Sequence, residues 1–170
     1  MPHDPSPRRH SLCLQGYDYS QAGAYFITVC THKRLLLFGD VIEGNVRVND
    51  IGTIVHQSWD NLPNHYPGIE LDAFIVMPNH VHGIIMLSDE GNTRHGIPEI
   101  VRGFKTFSAR TANEYRRSRA ALWQRGYYEH VIRDERALNR VRAYIANNSV
   151  RWTDDPENIS QAKIRERGRV

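Results

Sequence analysis

The alternation of apolar and polar residues changes period along the chain, and the changes mark out strands and helices. Residues 24–31, Ala-Tyr-Phe-Ile-Thr-Val-Cys-Thr, are aromatic and β-branched and read as a strand. Leu35 to Val48 follows, with a tight turn at Glu43-Gly44-Asn45 that suggests a small hairpin. Ile51, Ile54, Val55, Trp59 and Leu62 then recur at helical spacing behind a capping Asn49 or Asp50, predicting a helix to about Pro63. Ile69 to Met77 and His80 to Leu87 are two runs rich in Ile, Val and Phe, joined at Pro78-Asn79 and read as adjacent strands. Ser88 to Gly96 is a polar loop, and Pro98 suits the first turn of the helix after it. That helix is expected to carry Ile100, Val101, Phe104, Phe107 and Tyr115 on its buried side, with Arg102, Lys105 and Arg116 opposite. Tyr128 to Ile132 is one more short strand, and Asp134 caps a final helix with Leu138, Val141 and Ile145 as its apolar stripe.

The order β-α-β-β-α-β plus a last helix is that of an α+β, ferredoxin-like fold: an antiparallel sheet with helices on one face and an added C-terminal helix. At 170 residues the chain has room for one domain. The expected division is an extended basic arm over 1–19, a catalytic-sized domain over 20–152 and a frayed polar tail over 153–170. No run approaches the roughly 18 apolar residues of a membrane span, and the Pro-, Arg- and His-rich start is no secretory signal, so a cytoplasmic setting is expected. Cys13 and Cys30 are the only cysteines and lack metal or redox spacing, which excludes a disulfide scaffold and a zinc finger. The formal net charge is only +3, but Val101 to Trp152 holds twelve Lys/Arg against four Asp/Glu. A basic third of a small protein fits either a phosphate-bearing partner or a solvated helix face.

Two small constellations carry candidate chemistry. In His80-Val81-His82 the imidazoles stand at i and i+2 on a strand and so leave the same face, where both can ligate one divalent ion. Tyr144 and Asn148 lie four apart on the last helix and fall one turn apart on one face, on the shoulder of its apolar stripe. Each feature alone has an ordinary reading: a chance pair among nine histidines, or an amphipathic tyrosine with an asparagine near a helix end.

Together, Met77-Pro78-Asn79-His80-Val81-His82-Gly83 and the later Tyr144 and Asn148 resemble the HUH single-tyrosine transposases, with most likeness to the REP-associated tyrosine transposase branch. The resemblance extends to Gly16-Tyr17-Asp18-Tyr19, Tyr25 to Thr31, Phe104 to Ser108 and Trp123 to Asp134. It implies a metal-dependent endonuclease and strand transferase of single-stranded, hairpin-containing DNA. Tyr144 would be the nucleophile, giving a 5′-phosphotyrosyl enzyme and a free 3′-hydroxyl. His80, His82 and Asn148 would hold Mg²⁺ or Mn²⁺, two imidazoles suiting Mn²⁺ better. Lys105, Arg102, Arg8 and Arg9 would contact DNA phosphates. The catalytic helix can dock on its own sheet or on that of a second copy, so monomer and homodimer both fit. The competing function is a non-catalytic single-strand or hairpin-binding module. Ser149 stands where such transposases often carry proline, which predicts a less sharply ended helix around Asn148.

Overall fold

A computed structural model describes residues 18, 20–88, 95–155 and 157–158. The strands are β1 (Gly23–Cys30), β2 (Gly39–Ile42), β3 (Asn45–Val48), β4 (Ile69–Met77), β5 (His80–Leu87) and β6 (Tyr128–Ile132). The helices are α1 (Asp50–Asp60), the single turn α2 (Leu62–His65), α3 (Ile97–Tyr115) and α4 (Glu135–Ala146). The main sheet runs β4-β5-β1-β6 with every neighbour antiparallel, and β2-β3 forms the separate hairpin. With the hairpin set aside, this is the expected ferredoxin-like order.

The pleat sorts the sheet into two unlike faces. Tyr25, Ile27, Val29, Val81 and Ile85 point to one side, where they are fully buried against Val55, Trp59, Ile100, Val101 and Phe104 of α1 and α3. Phe26, Ile75, Ile84, Met86 and Ile132 point to the other, where Leu138, Val141 and Ile145 of α4 cover them. Gly83 shows why glycine is needed at the first face: an added Cβ would come within 2.4 Å of the Trp59 ring. Trp59 itself stacks on Phe74 at 4.4 Å and meets Phe104 edge-on at 5.4 Å.

Local chemistry fixes the helix starts. The Asn49 side chain accepts from the Gly52 N–H, and Asp134 accepts from the Ala137 N–H, each satisfying an otherwise orphaned first-turn donor. One expectation fails on α3: Tyr115 is 57% exposed and donates its hydroxyl to Asp50. It sits in the last turn, beyond the reach of the sheet, so the apolar stripe ends at Ala112. Among the described residues no helix is long and apolar enough to cross a membrane.

Candidate active site

β5 begins from a clamped turn. The Pro78 carbonyl accepts from the Leu37 and Phe38 N–H groups, and the Asn79 carbonyl accepts from Thr31 N–H. His80 and His82 therefore leave a fixed strand end on the α4 side of the sheet, ring centroids 4.5 Å apart. Asn79 Oδ1 lies 2.9 Å from His80 Nδ1. An amide oxygen only accepts, so Nδ1 carries the proton and the Nε2 lone pair faces the site. Across the β1–β5 ladder Thr28 pairs with His82, and its hydroxyl meets His82 Nδ1 at 2.8 Å. Burial pulls His82 down to about 3, and burial reinforced by His82 pulls His80 well below the ordinary imidazole range. Both rings are therefore neutral at pH 7, the form that ligates metals.

The α4 helix brings the tyrosine to them. The Tyr144 hydroxyl stands 3.4 Å from His82 Nε2, and its ring meets Phe26 edge-on at 6.0 Å. One chain supplies all of these groups. Tyr144 is 41% exposed, so its face stays open to a partner. Burial first, and then the Asp155 carboxylate, push its hydroxyl above the usual phenol range. The helix is tied to the sheet edge by Arg142, whose Nε donates to Asp72 Oδ1 at 3.0 Å. Asp72 reaches it because β4 carries a bulge between Leu71 and Phe74, one extra residue that turns the strand edge toward α4. The helix ends at Ala146, and Asn148 follows in a tighter turn, its N–H donating to the Ile145 carbonyl. Asn148 is nonetheless buried and lies against His80, Tyr144 and Asp155.

Asp155 is the residue the sequence reading missed. It and Asn158 are buried, although they belong to the segment that reads as a frayed polar tail. The segment is strapped down by contacts from distant parts of the chain. Asn79 Nδ2 donates to the Glu157 carbonyl at 2.7 Å, Arg34 pairs with the Glu157 carboxylate, and Cys30 Sγ donates to it at 3.4 Å. Burial and that carboxylate push the Cys30 thiol up to about 12, which leaves it protonated and inert as a ligand. His80 Nε2, Asn148 Oδ1 and Asp155 Oδ2 are buried with no hydrogen-bond partner among the described residues. Three orphaned ligand atoms in one pocket are what a bound cation would satisfy, and the imidazole, amide and carboxylate donors fit Mn²⁺ or Mg²⁺.

The basic residues are dispersed. Arg102 is exposed on α3. Lys105 is half-buried, and its ammonium donates to the Gln124 and Gly126 carbonyls at 2.9 and 3.0 Å. Its aliphatic stem lies along a cavity of about 500 Å³ shared with Arg102, Trp123, Arg125 and Tyr127. Trp123 is core, with its indole N–H on Ser108 Oγ at 3.0 Å. Arg8 and Arg9 lie outside the described residues.

The family model of IS200-like transposases matches residues 22–148. An uncharacterized protein of Haemophilus influenzae is 36% identical over 168 residues, covering 86% of this chain and 91% of that one. A candidate REP-associated tyrosine transposase of the same organism is 24% identical over 140 residues, covering 79% and 74%. Among solved structures, a REP-associated tyrosine transposase bound to a REP hairpin superimposes with a TM-score of 0.59 at 20% identity, covering 82% of this chain and 78% of that one. A candidate transposase from Deinococcus radiodurans superimposes with a TM-score of 0.50 at 23% identity, covering 78% and 93%.

Proposed function

Because the chain belongs to the IS200-like transposase family, we propose that it is a metal-dependent endonuclease and strand transferase of single-stranded DNA, with Tyr144 as the nucleophile. The observation that carries this reading is the 3.4 Å approach of the Tyr144 hydroxyl to His82, beside a pocket of orphaned ligand atoms. A half-exposed tyrosine with only a packing role needs no such neighbours.

His80, His82 and Asn148 would hold the ion, which when bound supplies Lewis-acid polarisation of the scissile phosphate. Asn79 and Thr28 fix the two imidazole rings through their Nδ1 atoms, so the rings need no reorientation on loading. The Tyr144 oxygen attacks phosphorus, the bond to the 3′ oxygen breaks, and a 5′-phosphotyrosine forms with release of a 3′-hydroxyl. The covalent link keeps the phosphodiester energy, so attack by another 3′-hydroxyl reverses the step and joins strands. The phenol is protonated at neutral pH, burial makes its proton harder still to remove, and that proton must leave as the new bond forms.

A hairpin-containing single strand is the proposed substrate, supported by the hairpin complex of the structural neighbour. Phe26 and the exposed Tyr128, whose rings meet edge-on at 6.3 Å, form an aromatic surface beside Tyr144 suited to an unpaired base. Arg102, Lys105, Arg8 and Arg9 are the proposed phosphate contacts, Lys105 through the one donor its two carbonyls leave.

The test is incubation of the full chain with Mn²⁺ and hairpin-containing single strands, with detergent-resistant adducts mapped by peptide mass spectrometry. A metal-dependent adduct on Tyr144 is expected, and Tyr144→Phe should abolish it while DNA binding persists. Hairpin binding with no adduct would leave a binding module in place of an enzyme.

A further inference from the structure

The family match ends at residue 148, and the buried carboxylate of the site lies seven positions beyond it. We propose that Asp155 is a further ligand of the metal, so that the 152–158 segment is built into the metal site. This rests on the metal reading above and extends it to an element outside the matched region.

Geometry carries the proposal. Ligand atoms of His80, His82 and Asp155 all lie within 4.8 Å of one another. His80 Nε2 and Asp155 Oδ2 are 3.8 Å apart, too far for a hydrogen bond. Two atoms each about 2.1 Å from a common ion stand roughly 3–4 Å apart, and this separation falls in that range. The side chains are 0% and 2% exposed, so water does not readily satisfy either atom. Each group also has its other polar atom occupied. His80 Nδ1 is held by Asn79, and Asp155 Oδ1 accepts from the Glu157 N–H at 2.7 Å. The remaining atoms, His80 Nε2 and Asp155 Oδ2, have no hydrogen-bond partner among the described residues, and the Asn148 amide lies beside both.

An unpartnered buried carboxylate oxygen destabilises a fold, because it has given up water without gaining a partner. Here it is retained by dedicated anchors: Asn79 on the Glu157 carbonyl, Arg34 and Cys30 on the Glu157 carboxylate, and Asn158 closing on the Trp152 carbonyl at 2.8 Å. Asn79 serves both ends, one amide atom setting His80 and the other holding the strap that delivers Asp155. A carboxylate also changes the ligand set. Two imidazoles and an amide are all neutral, whereas Asp155 adds the one negative charge that offsets half of a divalent ion. The hard cations Mg²⁺ and Mn²⁺ gain most from that addition. Because ligand binding and segment docking would share Asp155, each must strengthen the other.

The test uses the full chain and Mn²⁺ alone, without DNA, reading free Mn²⁺ by electron paramagnetic resonance. Asp155→Asn and Asp155→Ala are each expected to weaken binding at least tenfold, while Asp154→Asn, an exposed neighbour, leaves it unchanged. Melting of the metal-free protein should stay level or rise in Asp155→Asn, which keeps the Oδ1 acceptor for the Glu157 N–H, and the upward shift given by Mn²⁺ should shrink in both variants. A residue that only braced the fold would lower metal-free melting instead. In the wild type, Mn²⁺ should slow hydrogen exchange at the Glu157 and Asn158 amides, both of which bond to Asp155. Wild-type affinity in Asp155→Ala, with binding lost in His82→Ala, would overturn the Asp155 assignment and leave the histidine site standing. An equal loss in Asp154→Asn would overturn it as well. No Mn²⁺ binding by the wild type would overturn both readings.

Discussion

The two faces of the sheet are made from the same four strands and do opposite work. On the α1/α3 side, alternate residues of β1 and β5 are apolar and fully buried, and aromatic rings close the gaps. On the α4 side, the intervening residues of the same strands include Thr28, His80 and His82, and the apolar cluster is small. The first face stores stability. The second gives some up, since it holds neutral buried histidines and three orphaned polar atoms. The difference teaches that a strand with a two-residue period can separate the two tasks, so that changing one face need not disturb the other.

The strongest way to break that comparison is to damage the stable face. Trp59→Ala removes a ring packed on Phe74, Phe104 and the Gly83 backbone, and should cost about 3–5 kcal/mol in urea unfolding. The refolded fraction should still bind Mn²⁺ as tightly as wild type. A change in metal affinity per folded molecule would show that the faces are coupled.

The opposite test damages the functional face. His80→Leu replaces a buried polar ring by an apolar side chain of similar bulk, removing one orphaned atom but stranding Asn79 Oδ1. Unfolding free energy in metal-free buffer should therefore stay within about 1 kcal/mol of wild type. Strand cleavage and Mn²⁺ binding should both vanish. A loss as large as that of Trp59→Ala would mean that His80 is a structural core residue after all.

How much of this was legible in the sequence differs between the faces in the same way. β4 and β5 could be bounded from their apolar runs, and the His80/His82 pair from its i, i+2 spacing, because strand period is a local property. The Asp134 cap was legible for the same reason, and the Asn49 cap as one of two neighbouring choices with Asp50. The position of α4 on the far side of the sheet was not, since an amphipathic stripe says that a helix packs but not on what. Asp155 was invisible for a related reason. It sits in a polar stretch without period, and the segment around it is held down through Glu157 by Cys30, Arg34 and Asn79, all of them far off in sequence. Lys105 falls on the exposed side of a helical wheel, yet the 124–126 loop folds back over it and takes two of its donors.

The smallest expected effect concerns the tie between the faces, the Arg142–Asp72 pair that fastens α4 to the bulge of β4. The hydrogen bonds from Arg142, outweighing partial burial, hold the Asp72 carboxyl below the ordinary aspartate range. A depressed carboxyl binds its proton more weakly in the folded state, so its stabilising effect is full above the unfolded value near ~3.9. It fades as pH falls through the lower folded value. Arg142→Met should therefore lower stability only slightly above about pH 4, because the guanidinium is exposed and screened, and the difference from wild type should close as pH falls further. Cleavage should respond differently. With the tie gone, Tyr144 loses a constraint on its distance from His82, and the rate should drop roughly tenfold at constant Mn²⁺ affinity, as expected for a small misplacement of a nucleophile. An unchanged rate would show that the apolar cluster around Ile145 positions the tyrosine by itself.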